Sequence, residues 1–392
     1  MTIARHIAES LQASSWIRKM FEEGTTLKAQ HGADRVCDFT LGNPNVPPPE
    51  SFKKALRDVA GNAAIDHAYM SNAGYPETRQ AVAGQVAREQ NSPVTGDDII
   101  MTCGAAGGLN VILKAILNPG ETVVTPTPFF VEYRFYVQNH GGRLITAPSL
   151  PGFDLDLEAL SRSIDENTRA VLINSPNNPT GVVYSADTLD RLGKMLAEKS
   201  RGMGRNIYLI ADEPYRDIVY DNAVVPAIFD KYADSLVVTS YSKTLSLPGE
   251  RIGFVAVNPA MAHKQDLLAA MVFTNRVLGF VNAPALMQRV IARMPGEHVN
   301  INEYARKRER LCAILSDCGY DFIKPAGAFY LFPKSPLADD VAFVRRLQQE
   351  LVLAVPGSGF GGPGYFRLAY CVDDRTIENA APGFKKAIEA VK

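Results

Sequence analysis

The sequence has little of what marks a secreted, metal-binding or membrane protein. Its 392 residues include five cysteines, an odd number without a Cys-x-x-Cys pair, so reduced thiols are expected rather than disulfides or a zinc site. No apolar run approaches the ~18 residues that a membrane span requires, and residues 1–6 lack the apolar core of a signal peptide. These absences predict a cytoplasmic protein with no metal and no membrane partner.

The charge balance gives a second exclusion. The chain carries 41 basic and 42 acidic side chains, for a net charge of −1, so there is no electrostatic reason to expect nucleic acid as a partner. The content of 46% hydrophobic and 21% charged residues is typical of a soluble enzyme. Because 392 residues are many for one hydrophobic core, two domains are expected.

Alternating apolar and helical segments predict the fold class. Short apolar runs favour strands at 99–102, 122–125, 170–174, 207–211, 236–239 and 252–257, and helical patterns such as 109–117 and 186–199 lie between them. This alternation is typical of a mostly parallel sheet with helices on both faces. The last strand follows its predecessor too closely for a helical crossover and is expected to be antiparallel.

The carboxyl-terminal hundred or so residues have a different pattern. A charged helix around 304–310 precedes short strands at 329–332 and 365–370, which indicates a smaller α+β domain. The proline-rich segment 44–49 is a rigid, extended connector and is expected to cross between the domains.

Ser240-Tyr241-Ser242-Lys243, with Arg251 eight residues later, follows a predicted strand. An amine there can form a Schiff base with a carbonyl, while the hydroxyls and a guanidinium hold a phosphate. Pyridoxal 5′-phosphate (PLP) carries both groups on one molecule. A solvated turn at a strand end is the alternative interpretation.

Three other strand ends carry residues suited to the same ligand, since ligands of open parallel sheets bind at the carboxyl edge. The turn 104–108 is rich in glycine and alanine, so it favours either a phosphate at a helix N-terminus or tight packing of helix on sheet. The segment 177–181 offers an amide or a plain turn. Asp212 needs a cation such as a protonated pyridine nitrogen, unless it caps a helix.

In this order the motifs resemble those of the class I aminotransferases, PLP-dependent enzymes of fold type I similar to aspartate aminotransferase. The resemblance covers about residues 35–372 and also includes the segments 69–79, 327–330, 355–360 and 366–368. It implies a mostly parallel seven-stranded sheet with helices on both faces in a large domain at 48–290. A small α+β domain is then built from 1–47 and 291–392.

The resemblance also implies residue roles. Lys243 attaches PLP and moves the Cα proton, Asp212 keeps the pyridine nitrogen protonated, and Tyr215 contacts the ring oxygen. The implied cofactor-binding residues are these three with Gly104, Ala105, Ala106, Phe130, Asn178, Ser240, Ser242, Arg251 and, from the neighbouring subunit of a homodimer, Tyr69. The implied substrate-binding residues are Gly42, Phe130, Asn178 and Arg367, of which Arg367 takes the α-carboxylate. The expected reaction is ping-pong transamination between an L-amino acid and a 2-oxo acid such as 2-oxoglutarate.

Two points remain open in the sequence. A β-lyase or a decarboxylase would use nearly the same motifs. The side-chain preference is also undecided, because Ala106 stands where one aspartate-using branch has a lysine, and Arg276 is one residue out of register with the arginine of another. Arg18 in the amino-terminal arm is a further candidate cation. We therefore expect broad specificity, with neutral or aromatic amino acids used at least as well as aspartate.

Overall fold

The computed structural model describes residues 2–12 and 16–391, and for residues 6, 9, 11, 12, 16–19 and 21 it describes the backbone alone. The prediction for the Arg18 side chain therefore lies outside the described residues. The strands are β1 (Cys37–Asp38), β2 (Ile99–Thr102), β3 (Thr122–Pro126), β4 (Arg143–Ala147), β5 (Thr168–Asn174), β6 (Tyr208–Asp212), β7 (Ser235–Ser240), β8 (Gly253–Val257), β9 (Tyr330–Leu331), β10 (Val352–Leu353), β11 (Val355–Pro356) and β12 (Phe366–Ala369).

The helices surround these strands along the whole chain. They are α1 (Arg5–Gln12), α2 (Trp16–His31), α3 (Glu50–Ala60), α4 (Pro76–Glu89), α5 (Gly104–Ile116), α6 (Glu132–Asn139), α7 (Leu157–Ser163), α8 (Ala186–Met203), α9 (Tyr241–Thr244), α10 (Lys264–Val277), α11 (Ala285–Ile291), α12 (Ile301–Cys318), α13 (Asp340–Gln349), α14 (Asp374–Asn379) and α15 (Ala381–Glu389). Within the described ranges, no helix combines the length and the apolar character needed to cross a membrane.

Seven strands form one sheet in the order β2-β8-β7-β6-β5-β3-β4. Only β8 is antiparallel to its neighbours, β2 and β7, whereas the other pairs are parallel. The predicted fold class and the antiparallel strand are both confirmed. Because β8 reverses direction between them, β2 and β7 run the same way, and their carboxyl ends meet at one edge of the sheet with those of β5 and β6.

The central strands read as continuous apolar runs because both faces of the sheet are covered. Along β5, Val171 and Ile173 pack into the core on one face, while Ala170 and Leu172 pack into the core on the other. This alternation follows from the period of two in a strand. Helices α3, α4, α8 and α11 contribute to the first core, and α5 and α10 contribute to the second.

The apolar pattern of the sequence predicts six of the seven strands of this sheet and misses β4. It lies at the edge of the sheet and pairs only with β3. Arg143 and Thr146 are exposed, and only Ala147 is fully buried. An edge strand that is half solvated carries no continuous apolar run, and so the pattern does not reveal it.

A further core gathers residues from both ends of the chain. The rings of Phe39 and Phe384 are 6.0 Å apart, and both belong to a cluster that also contains Leu311, Phe343 and Phe366. The strands β11, β12 and β9 form a small antiparallel sheet beside it. The two predicted carboxyl-terminal strands are confirmed in shorter form as β9 and β12. The division into domains at 48 and 290 stays a prediction.

Candidate active site

A cavity of about 360 Å³ opens at the carboxyl edge of the large sheet. Among the residues lining it are Gly42, Ala105, Ala106, Phe130, Asn178, Asp212, Tyr215, Ser240, Ser242, Lys243, Arg251 and Arg367. These are all the residues that the sequence predicts for the site except Gly104 and Tyr69. The sheet topology thus brings together side chains from segments more than 300 residues apart.

Lys243 is presented by the short helix α9, which begins directly after β7. Its Nζ donates a hydrogen bond of 2.6 Å to the carbonyl oxygen of Gly42. The side chain is half-buried, and the loss of solvent around the amine lowers its pKa to about 8. A larger fraction of Lys243 is therefore neutral and nucleophilic near pH 8 than of an exposed lysine.

Asp212 ends β6 and is buried. The Tyr133 hydroxyl, from α6, donates a 2.5 Å hydrogen bond to its Oδ2, whereas its buried Oδ1 has no partner among the described residues. Burial raises the pKa of Asp212 to about 7, although the bond from Tyr133 opposes the rise. No helix begins between residues 213 and 234, which rules out the capping interpretation of Asp212.

The free Oδ1 of Asp212 is a test of whether PLP fits the cavity. A buried carboxylate oxygen without a donor is costly, and a protonated pyridine nitrogen would supply both a hydrogen bond and a positive charge. Lys243 and Asp212 line the same cavity, so one ligand can meet both the amine and the carboxylate. The residues present therefore fit the cofactor.

The residues predicted for the phosphate also lie together. Ala105 and Ala106, in the first turn of α5, line the cavity with Ser240, Ser242 and Arg251. A Cβ atom on Gly104, whose φ is +71°, would come within 3.1 Å of Nη2 of Arg251. Glycine at 104 thus lets the guanidinium approach the N-terminus of α5, where an anion is favoured.

The alternative interpretation of the turn 104–108 holds for one of its glycines. A Cβ atom on Gly108 would come within 2.6 Å of Val238 on β7. Gly108 therefore serves the packing of α5 on the sheet, and the first residues of the turn face the cavity.

Arg367 on β12 is buried and has no acidic side chain paired with it among the described residues. Its Nη1 donates to Oδ1 of Asn178 at 3.1 Å, and its Nη2 donates to the carbonyl of Thr40 at 2.5 Å. The rings of Tyr330 and Phe360 each lie 4.7 Å from its Cζ. Its Nε has no partner in the part of the chain that the structure describes, and burial lowers its pKa. A desolvated guanidinium in this state favours a carboxylate ligand.

Gly42 is required by close packing rather than by backbone conformation. A Cβ atom at this position would overlap the Tyr330 hydroxyl. The chain at Gly42 can therefore lie against the cavity only without a side chain.

Tyr133, Asn174 and Tyr330 belong to the site although the sequence assigns them no role. Asn174 ends β5, donates to the carbonyl of Asp212 at 2.7 Å, and accepts from the amide of Asn178 at 2.7 Å. Its position after an apolar strand was a usable signal. Tyr133 offered none, because a tyrosine on a helix is usually part of the core.

Tyr69 and Arg276 do not line the cavity of the single chain. Tyr69 is 93% exposed, and the guanidinium of Arg276 lies 5.4 Å from the exposed ring of Phe273 on the same helix. Neither residue therefore reaches the site from its own chain.

Comparisons with known proteins agree with this geometry. Residues 34–384 match the family of class I and II aminotransferases. A probable aspartate/prephenate aminotransferase of Aquifex aeolicus is 32% identical over 373 residues, covering 91% of this chain and 92% of that protein. The aspartate/prephenate aminotransferase of Thermus thermophilus is 30% identical over 365 residues, with 92% of each covered.

Solved structures match over the whole chain. A crystal structure of an amino transferase from Eubacterium rectale superposes with a TM-score of 0.96 at 39% identity, covering 100% of both chains. The aspartate aminotransferase of Thermus thermophilus with maleate superposes with a TM-score of 0.86 at 27% identity, covering 99% of this chain and 100% of that one. The resemblance inferred from the motifs is confirmed: the chain belongs to the class I and II aminotransferases and uses PLP to move an amino group between an amino acid and a 2-oxo acid.

Proposed function

We propose that this aminotransferase works through Lys243, Asp212 and Arg367, and that it accepts neutral and aromatic L-amino acids with 2-oxoglutarate as the acceptor. The observation that carries the roles is that the cavity joins a half-buried amine, a buried carboxylate with one free oxygen, and a buried guanidinium without an acidic partner. When bound, PLP supplies an aldehyde that takes the amino group and a protonated ring that accepts electrons from Cα.

Each residue then has one task that its surroundings support. Lys243 would hold the cofactor, and its amine, when neutral, would take the proton from the substrate Cα and pass it to the cofactor. Oδ1 of Asp212 would accept a hydrogen bond from the ring nitrogen. Arg367 and Asn178 would bind the α-carboxylate, and the Tyr215 hydroxyl would donate to the ring oxygen. Ser240, Ser242, Arg251 and the first turn of α5 would bind the phosphate.

The substrate preference follows from the cations that the cavity contains. Among the described lining residues these are Lys243, Arg251 and Arg367, and each has a task in the account above. No cation is left there for a second substrate carboxylate, while Leu41, Leu109 and Phe130 offer apolar surface. A side-chain carboxylate would find no partner within this lining, at a cost of several kcal/mol. Because 2-oxoglutarate carries the same second carboxylate, its use as the acceptor requires a cation from outside the lining, for which Arg276 of a second chain and Arg18 are the candidates.

We predict that kcat/KM for methionine or phenylalanine equals or exceeds that for aspartate. The measurement is glutamate formation from aspartate, alanine, methionine and phenylalanine with 2-oxoglutarate, with ammonia and carbon dioxide assayed in parallel. A hundredfold preference for aspartate would show that a cation from outside the lining also selects the amino acid, which would contradict the proposed preference. Ammonia or carbon dioxide in place of glutamate would contradict transamination and favour a lyase or a decarboxylase.

The enzyme is further proposed to be a homodimer with shared active sites. Tyr69 projects into solvent from the single chain, and α10 exposes Phe273 and Val277, which are 54% and 50% accessible and one helical turn apart. A second copy covering this region would bury the two apolar side chains. Tyr69 of the first chain would then reach the phosphate site of the second copy.

We expect sedimentation at micromolar concentration to give about twice the chain mass of 42.7 kDa. A Tyr69→Phe homodimer should bind PLP about tenfold more weakly, because one hydrogen bond to phosphate is lost. Mixed dimers of Tyr69→Phe and Lys243→Ala chains should regain one fully active site, in which Lys243 and Tyr69 come from different chains. An active monomer, or mixed dimers without this gain, would contradict shared sites.

A further inference from the structure

Tyr330 lies where three parts of the active site meet, and neither the motif that contains it nor the proposed function gives it a task. Its hydroxyl is 2.8 Å from the hydroxyl of Tyr215. Its ring lies 4.7 Å from Cζ of Arg367, and its hydroxyl occupies the space that a side chain at residue 42 would need. Tyr330 therefore contacts the residues proposed for the cofactor oxygen and for the α-carboxylate.

The direction of the bond between the two tyrosines follows from counting protons. A phenol has one proton to donate, and both phenols are neutral, because burial raises the pKa of Tyr330 to about 12 and that of Tyr215 well above its ordinary value. In the proposed function, the Tyr215 hydroxyl uses its one proton to donate a hydrogen bond to the ring oxygen of PLP. The proton between the two hydroxyls must then come from Tyr330.

We infer that Tyr330 is a positioning residue with two separable parts: its hydroxyl is the donor that polarises Tyr215, and its ring is the platform that holds the Arg367 guanidinium. The inference rests on the proposed roles of Tyr215 and Arg367. It makes one side chain responsible both for the electronic state of the cofactor and for carboxylate binding.

The hydroxyl part has a spectroscopic consequence. Hydrogen bonds in a chain strengthen one another, so donation from Tyr330 strengthens the bond from Tyr215 to the ring oxygen. A stronger donor stabilises negative charge on that oxygen and lowers the pH at which the absorbance of lysine-bound PLP changes. The charged and titratable groups facing these hydroxyls are Arg367, Cys371, Asp212 and Tyr133, and a Tyr330→Phe change leaves all of them in place.

Two variants separate the two parts. Tyr330→Phe keeps the ring and is expected to raise the midpoint of the absorbance titration by about 0.3 pH unit, with KM for the amino acid within about twofold of wild type. Tyr330→Leu should show the same shift and, in addition, raise KM about fivefold, since Arg367 loses an aromatic face. Tyr320→Phe is the matched control, because it removes a buried hydroxyl that donates to the carbonyl of Phe384 at 2.9 Å.

Tyr320→Phe should change neither the midpoint of the absorbance titration nor KM for the amino acid. An unshifted midpoint in Tyr330→Phe would overturn the donor role, and so would an equal shift in Tyr320→Phe. Equal KM values for the phenylalanine and leucine variants at position 330 would overturn the platform role. Either result, in variants that bind PLP and transaminate, leaves the proposed function standing, whereas a wild-type protein that does neither would contradict the proposed function itself.

Discussion

Lys243→Ala is expected to lower the rate of transamination by about 10⁴-fold, because the base for the Cα proton and the covalent anchor are lost together. The variant should still bind PLP, since Ser240, Ser242, Arg251 and Asp212 remain. Lys243→Arg is a second test: it keeps a positive charge at this position but cannot provide a neutral amine. The measurement is single-turnover formation of the 2-oxo acid with PLP at saturation.

Both Lys243 variants should be equally inactive if the neutral amine is what matters. Lys194→Ala is the control for loss of a lysine, because its side chain is 75% exposed on α8, and it should retain wild-type activity. Activity in Lys243→Ala within tenfold of wild type would assign the proton transfer to another group.

Asp212→Asn is expected to fold and to lower transamination at least about 100-fold, the usual loss when a preorganised electrostatic contact is removed from an active site. The neutral amide cannot hold the ring nitrogen in its protonated form. The measurement is kcat at saturating PLP, together with the absorbance spectrum of the bound cofactor. Retention of most activity would contradict the catalytic role of this carboxylate.

The stability of Asp212→Asn gives an independent check. Burial raises the pKa of Asp212 to about 7 in the protein without PLP. The carboxylate therefore costs stability above pH 7, and the cost disappears below pH ~4, where the group is protonated in both the folded and unfolded states. At pH 8, without PLP, the variant should have a melting temperature no lower than that of wild type. Addition of PLP should raise the melting temperature of the variant by less than it raises that of wild type.

Asp98→Asn is the matched control for Asp212→Asn. Asp98 is also buried, and it pairs with Lys264 at 2.7 Å. It precedes β2 and so lies at the opposite edge of the sheet. We expect the Asp98→Asn change to lower the melting temperature without changing the spectrum of bound PLP. The pair of variants thus separates the general effect of losing a buried carboxylate from the specific effect of losing that of Asp212.

The sequence was sufficient to predict Lys243, Asp212 and Asn178 as neighbours because each follows a strongly apolar strand. Parallel strands bring their carboxyl ends to one edge, so position after a strand is enough to place a residue near the cavity. Arg367 was different: its strand is short and belongs to another core, and only the resemblance to a family pointed to it.

The residues that could not be predicted make their contacts with segments that are distant in the chain. The sequence around each of them carries no motif that indicates such a contact. Tyr133 meets Asp212 across 79 residues of chain, and Tyr330 meets Tyr215 across 115. Both are tyrosines in surroundings where an apolar aromatic would pack equally well. Strand β4 was not predicted for a related reason: because part of it is exposed, it lacks the apolar pattern on which strand prediction depends.

Reduction of the PLP-loaded enzyme with borohydride tests the central claim most directly. The reagent fixes the cofactor on the nitrogen that holds it, and peptide mapping by mass spectrometry then identifies the lysine. The account predicts one pyridoxyl group per chain, on Lys243, and no label on Lys243→Ala treated in the same way. A label on any other lysine in the wild-type protein would contradict the assignment of this cavity as the active site.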